Sequence, residues 1–482
     1  MNAALRGTAA SATGEALLRL QFDALRAAYA REPFPGPAIR RDRIARLASI
    51  VRDHEGDFVA AIGRDFGHRS AHETRLAELF IVASEARLAM RRLARWMRPT
   101  RVPTPIQLKP GRARVLPQPL GVVGIVSPWN YPVQLALAPA IAALAAGNRV
   151  MLKPSEVTPA TSALLARAIA ARFAPDEFAV VTGDAATGAA FSRLPFDHLF
   201  FTGSTAVGRL VAKAAAENLT PVTLELGGKS PAIVDASADF ALVAPRIAAG
   251  KLLNAGQTCI APDYALVPAA KLDAFVDAVA AAVRVLYPDP MRTADYTAIV
   301  DERHYARLAG LVDDACAKGA RIVTLPEGAV ADPVTRRLPP TLVVGADDRM
   351  QVMREEIFGP ILPIEACASL DEAIAKVNAR PRPLALYAFG EDRAAIERIL
   401  RETVAGGVTV NDTLWHFAHE GLPFGGVGAS GFGAYHGETG FRTFSHLKGV
   451  YLQPRLTAAK LLRPPYGAAF ERVLALLKRV AG

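Results

Sequence analysis

The sequence predicts an α/β protein, a doubly wound parallel sheet followed by a second α/β unit. Three observations carry this. Apolar runs at 121–126, 149–152, 178–182, 198–201 and 221–226 alternate with helical stretches at 133–146, 158–172 and 205–217. A second alternation follows over 229–408, with strand candidates at 232–234, 264–267, 321–324, 341–344 and 384–389. The 482 residues, 51% of them hydrophobic, suffice for two or three domains with large cores.

Taken in order, the first dozen residues are rich in Ala, Ser and Thr and lack an apolar stretch, which predicts a flexible start and no signal peptide. Leu18, Phe22, Leu25 and Tyr29 recur at helical spacing, so a helix is expected over 15–31, stopped by Pro33-Phe-Pro-Gly-Pro37. Helical patterning resumes at Ile44, Leu47 and Val51 and continues to Trp96. Segments 106–108 and 113–116 flank Pro110-Gly111, a turn dipeptide, and predict a hairpin within 101–119. Arg463-Pro-Pro-Tyr-Gly467 precedes a short amphipathic helix bearing Phe470, Val473, Leu474 and Leu477.

Composition narrows the function. Fifty-six basic and 46 acidic residues leave a net charge of +10, but the basic side chains are dispersed. That argues against a nucleic-acid partner and is compatible with steering an anionic cofactor. No apolar run approaches the roughly 18–20 residues of a membrane span. Cys259, Cys316 and Cys367 are scattered, so neither a disulfide framework nor a metal-ligand cluster is expected, and a reducing cytoplasm fits.

Chemistry concentrates in a few stretches. Asn254-Ala-Gly-Gln-Thr-Cys259-Ile-Ala-Pro262 sets a thiol among small and polar residues. A lone cysteine is more often a small buried hydrophobe, but a thiolate is the strongest side-chain nucleophile near neutral pH. Thr223-Leu-Glu225-Leu-Gly-Gly-Lys-Ser-Pro231 puts a single carboxylate in an apolar strand, where it must be paired or kept for proton transfer. Pro128-Trp129-Asn130 follows a strand and offers a neutral amide donor for an oxyanion, though a turn Asn is common there. Phe200-Phe-Thr-Gly203-Ser-Thr-Ala-Val-Gly208 opens a helix whose free N–H groups can face a phosphate. Lys153-Pro-Ser-Glu156 ends another strand, with Pro154 expected to start the next helix. Glu355-Glu356-Ile-Phe358-Gly-Pro360 reads by itself as a helix end with solvated carboxylates.

Together these stretches resemble the aldehyde dehydrogenase superfamily over about residues 16–450. The resemblance implies a Rossmann-type cofactor domain (1–100 and 120–228), an oligomerisation hairpin (101–119), a catalytic domain (229–408) and a returning C-terminal segment (409–482). It implies Cys259 as nucleophile, Glu225 as general base, and Asn130 with the Cys259 N–H as oxyanion hole. It places NAD or NADP against Trp129, Lys153, Ser155, Glu156, Gly203, Ser204, Gly208, Leu226, Glu356 and Phe358, with no metal. Lys153 and Glu156 are expected at the adenosine ribose, Ser204 at the pyrophosphate and Glu356 at the nicotinamide ribose. A carboxylate at Glu156 favours NAD, while NADP stays open because relatives use both.

Leu422-Pro-Phe-Gly-Gly-Val-Gly-Ala-Ser-Gly431 and Tyr435-His-Gly437 resemble the class 3 branch, which handles aromatic and medium- or long-chain aldehydes. The Arg463-Pro-Pro-Tyr466 ending is similar to that of bacterial coniferyl-aldehyde dehydrogenases, with Trp415, His416 and Phe417 lining an aromatic pocket. The implied reaction oxidises coniferyl aldehyde to ferulate. A fatty-aldehyde dehydrogenase and a Cys/Glu esterase-type hydrolase are the alternatives. Class 3 resemblance implies a homodimer. The terminal helix is too short to span a bilayer, which leaves it a partner subunit or a peripheral membrane contact.

Overall fold

A computed structural model describes residues 2–481. The first helix, Asn2–Arg31, begins earlier than the flexible start expected from sequence, as its alanine content allows. Pro37 opens the next helix, Pro37–Asp53, at a position where its missing N–H costs nothing.

The hairpin pairs β1 (Thr100–Val102) with β2 (Arg112–Pro119). Segment 106–108, expected as one arm, is instead a single 3-10 turn inside the connection. The chain then enters a parallel sheet of β3 (Val122–Val126), β4 (Arg149–Lys153), β5 (Phe178–Val180), β6 (His198–Thr202) and β7 (Val222–Glu225). These strands are buried on both faces, which is why they read as continuous apolar runs. A helix at Ala185–Ser192 links β5 to β6 and was not expected. The helix after β4 starts at Pro159, not at Pro154, which lies in the preceding loop.

The second sheet comprises β8 (Pro231–Val234), β9 (Tyr264–Pro268), β10 (Arg321–Thr324), β11 (Thr341–Val344), β12 (Ile361–Cys367), β13 (Ala385–Phe389) and β14 (Gly407–Val410). Its order is β10-β11-β12-β9-β8-β13-β14, and only the β10–β11 pairing is antiparallel. Strands β12 and β14 were absent from the sequence expectation. Finally β15 (Gly431–Phe432) returns antiparallel to β7, and β16 (Ser445–Leu452) runs antiparallel along all of β2.

The first sheet is ordered β15-β7-β6-β3-β4-β5. Chain direction across the sheet therefore reverses between β3 and β6, and an open α/β sheet binds ligands beyond its carboxyl ends at such a point. Trp129 and Asn130 follow β3, Gly203 and Ser204 follow β6, and Glu225 ends β7. One continuous apolar core spans both sheets. A smaller cluster packs Leu18, Phe22 and Leu25 of the first helix against Phe191, Phe196 and Leu199.

Candidate active site

Cys259 sits in a loop held in an unusual conformation. The Phe240–Leu252 helix ends in a turn where Asn254, Ala255 and Gly256 have φ of 54°, 51° and 76°. Left-handed non-glycine residues cost of order 1–3 kcal/mol each, so surrounding contacts must impose them. They do. Asn254 N donates to Glu73 Oε1 at 3.0 Å, and Asn254 Nδ2 donates to the carbonyls of Asn130 and Gln257 at 3.0 and 3.1 Å. Gln257 Nε2 donates to Asn254 O and Ala298 O, and Gln257 Oε1 accepts from Val300 N. At Gly256 a Cβ would fall 2.2 Å from the Gly359 carbonyl oxygen. The Asn, Gly and Gln of this motif thus shape the loop that presents the cysteine.

Asn130 is buried, and its Nδ2 donates to Gln257 O at 3.1 Å. An amide carries two N–H donors, which leaves one for the cleft that Asn130 lines. Glu225 lies in the same cleft at 3% exposure, and neither carboxylate oxygen has a hydrogen-bond partner among the described residues. Burial pushes its carboxyl well above the usual range. Burial also pushes the Cys259 thiol up, helped by Glu356 and Glu225, while the N–H groups of Cys259 and Ile260 favour the thiolate. The thiol therefore rests protonated, and its proton must leave before the sulfur attacks, while the raised carboxyl is a stronger base than an exposed glutamate.

This cleft, about 220 Å³, also takes Trp129, Gly203, Ser204, Leu226, Glu356 and Phe358. Edge-on contacts of Trp129 with Phe358 and His304, centroids 5.4 and 4.9 Å apart, build an aromatic wall. Glu356 packs where Gly227 has no side chain, since a Cβ there would lie 1.9 Å from its Oε2. Its Oε1 is shut from solvent without a partner among the described residues, and burial, then Asp263, raises its carboxyl to about 8. Only Glu355 of that pair is exposed, so the solvated helix end expected from sequence alone does not hold. Ser204 caps the Thr205–Ala216 helix, its Oγ accepting from Val207 N at 3.4 Å. Gly208 lets the helix close on Leu226, whose Cδ2 would meet a Cβ at 2.6 Å. The N-terminus of the Thr205–Ala216 helix and the partnerless Oε1 of Glu356 suit the phosphates and a ribose of a dinucleotide.

Lys153 closes β4, Ser155 and Glu156 follow it, and none of the three lines this cleft. Lys153 is buried, donating to Glu156 Oε2 at 2.6 Å and to Pro154 O at 3.2 Å. Ser155 Oγ accepts from Val157 N, and Glu156 is exposed.

Cys259 also lines a second cavity of about 530 Å³, walled by Phe80, Tyr131, Leu253, Ile260, Trp415 and Phe417. Cys259 thus lines both the cleft that holds the carboxylates and this mostly apolar tunnel. Of the three aromatic residues expected in the tunnel wall, His416 is absent. It is buried behind, bonded through Nδ1 to Thr409 Oγ1 at 2.8 Å, and burial lowers it to about 4. His436 stacks on Phe424 and is lowered to about 3 by burial. Both are neutral packing groups near pH 7.

Several site residues escaped the sequence reading. Arg69 donates to the Asn130 carbonyl and pairs with Glu78 at 3.2 Å, neither side chain exposed. Glu78 Oε2 accepts from Val133 N and Gln134 N at the start of the Gln134–Ala146 helix. Lys229 donates to Asp263, Val352 O and Glu355 O, and Asp263 Oδ1 accepts from Ile357 N, so this pair clamps the Glu356 loop. Lys251 is buried with no hydrogen-bond partner among the described residues. Glu78 and Lys251 carry a local signal, a charge within an apolar stretch, whereas Arg69 lies in a polar stretch that gives none. Among the described residues no cluster of three or more His, Cys, Asp or Glu could hold a metal.

Residues 18–450 match the model of the aldehyde dehydrogenase family. The chain is 50% identical over 457 residues to a probable coniferyl aldehyde dehydrogenase of Pseudomonas aeruginosa, covering 95% of each. Its fold is similar to the substrate-bound state of Staphylococcus aureus AldH, with a TM-score of 0.91, 39% identity, and 95% and 99% of the two chains covered. It is also similar to P. syringae AldA, an indole-3-acetaldehyde dehydrogenase in complex with NAD+ and IAA, with a TM-score of 0.82, 26% identity, and 91% and 89% covered.

Proposed function

We propose, from the premise that this chain belongs to the aldehyde dehydrogenase family, that it oxidises an aromatic aldehyde of the coniferyl type to its carboxylic acid, with NAD as acceptor. The carrying observation is the position of Cys259, which lines both the cleft holding Asn130, Glu225 and Glu356 and a mostly apolar cavity of about 530 Å³. Coniferyl aldehyde enters through the name of the Pseudomonas aeruginosa relative, and NAD through the AldA complex. NADP is the second candidate acceptor.

In this reading Cys259 gives its proton to deprotonated Glu225, which releases it to solvent, and the Cys259 Sγ thiolate attacks the aldehyde carbon. The free Asn130 N–H and the Cys259 N–H receive the oxyanion, worth about 10²–10³ in kcat for one such donor. The bound nicotinamide supplies the acceptor for the hydride that leaves the substrate carbon. A thioester on Cys259 is then hydrolysed by water that gives its proton to Glu225, and the acid departs. Glu356, Ser204 and Gly203 hold the cofactor in the cleft, and Trp129, Leu226 and Phe358 shield it from water. Gly208 keeps its helix close. Lys153, Ser155 and Glu156 serve the adenosine ribose at the end of β4.

The same proposal assigns 1–100 and 120–228 to cofactor binding, 101–119 to oligomerisation, 229–408 to the nucleophile, and 409–482 to the return. A homodimer through the β1–β2–β16 sheet is supported by exposed Val102, Leu108, Leu447 and Leu452 on those elements and their connection. Three free cysteines support a cytoplasmic setting. Among the described residues no helix is long and apolar enough to cross a membrane.

The test is nicotinamide reduction with NAD, then NADP, against coniferaldehyde, benzaldehyde, hexanal and decanal, with Cys259→Ala as control. Coniferaldehyde oxidised far faster than decanal supports the reading. The reverse order makes the tunnel a site for alkyl chains. Ester cleavage without any aldehyde oxidation would point to a hydrolase.

A further inference from the structure

The tunnel beyond Cys259 is mostly apolar, with neutral polar groups at Tyr131, Gln134, Thr258 and Thr413 and charge at one place. Arg246 and Asp412 are the charged residues in its wall, both partly exposed, with Arg246 Nε 4.0 Å from Asp412 Oδ2. Arg246 lies on the Phe240–Leu252 helix, about two turns and roughly 10 Å ahead of the Cys259 loop. Cys259, Arg246 and Asp412 line one cavity, so a 4-hydroxycinnamaldehyde bound at Cys259 extends along the same wall. Its vinyl group and ring carry a para oxygen roughly 8–9 Å from the carbonyl, using standard bond lengths.

The pair is fixed in place. Thr413 Oγ1 donates to Arg246 O at 3.1 Å, a contact possible only because Gly250 has no side chain, since a Cβ there would lie 2.1 Å from Thr413 Oγ1. Asn411, at φ 56°, exchanges two hydrogen bonds with Gly390 and accepts at its carbonyl from Arg246 Nη1 at 2.5 Å. Thr413 N donates to Asp412 Oδ1. Among the described residues this leaves Arg246 Nε and Nη2 and Asp412 Oδ2 without hydrogen bonds.

Resting on the aldehyde-oxidising reading above, we propose that Arg246 and Asp412 form the specificity subsite for the para-hydroxyl of a hydroxycinnamaldehyde. The phenol O–H donates to Asp412 Oδ2, and its oxygen accepts from Arg246. A substrate carboxylate at this end would meet Asp412 as a like charge, and an alkyl chain would leave both groups without new partners.

The experiment compares kcat/KM for 4-hydroxy-3-methoxycinnamaldehyde, 3,4-dimethoxycinnamaldehyde and cinnamaldehyde in wild type, Asp412→Ala and Arg246→Met. The wild type favours the phenol over the dimethoxy ether about five- to tenfold, the size of one hydrogen bond to a charged acceptor in a half-wet site. In Asp412→Ala that ratio falls to near one, with the change in KM. Arg246→Met gives a smaller loss in the same direction. A wild type with no preference for the phenol, or variants that keep the wild-type ratio, overturns the subsite. No oxidation of any of the three aldehydes by wild type overturns instead the functional reading beneath it.

Discussion

Arg69 Nη1 donates to the carbonyl oxygen of Asn130 at 2.7 Å, while its guanidinium pairs with Glu78 at zero exposure of either side chain. The amide proposed for the oxyanion is therefore held from behind by a buried ion pair. Replacing Arg69 with Met leaves Glu78 buried and uncompensated, and breaking such a pair typically costs about 3–5 kcal/mol. Urea unfolding should show that loss, and kcat should fall by about tenfold with the cofactor KM unchanged. Adding Glu78→Gln should restore part of the stability and little of the rate, which separates folding from positioning.

Glu225 sets the pH dependence. Its folded carboxyl is raised by burial, so the fraction ready to act as a base grows as pH rises through a range above that of an exposed glutamate. Activity should rise with pH as that carboxyl loses its proton. In Glu225→Gln the turnover should drop by about 10²–10⁴, and the rise with pH should flatten. A rise that persists unchanged in the variant assigns the proton to another group.

Lys229 spends its ammonium donors on Asp263, Val352 O and Glu355 O. Lys229→Met should free the Glu356 loop and raise the KM for NAD by about tenfold, with a smaller effect on the aldehyde KM. Lys229→Arg, which keeps charge and donors, should recover part of it. Equal losses in both KM values argue for general unfolding.

Lys251 offers a stability test. Burial, opposed by Asp263 and Glu356, lowers its folded pKa from 10.5 to about 8. The unfolded chain binds more protons between those values, so this residue makes stability rise with pH across about 8 to 10.5. Below pH 8 it holds a buried charge at a cost of about 3 kcal/mol. Lys251→Met should raise the urea midpoint at pH 7 and remove the rise above pH 8.

Much of the fold was legible because its strands are buried on both faces. Runs such as 198–201 have no competing reading as amphipathic helix. β12 escaped because Pro363 and Glu365 interrupt it, and β16 because it is mostly exposed, with its stability coming from backbone pairing to β2. Local motifs singled out Cys259, Glu225 and Asn130, which the fold brings to one cleft. Arg69 and Glu78 were not singled out, because their partners come from residues far along the chain and nothing local distinguishes a buried arginine from a solvated one. His416 was placed in the tunnel wall from its neighbours, yet the short helix Trp415–Ala418 turns it the opposite way, toward Thr409.

The most direct test of the central claim is intact-protein and peptide mass analysis of Glu225→Gln after mixing with NAD and coniferaldehyde. Without the proposed base, the thioester should accumulate. The account predicts an adduct equal to the aldehyde less two hydrogens, confined to the peptide carrying Cys259 and requiring NAD. An adduct on Cys316 or Cys367, or none alongside continued oxidation, contradicts it.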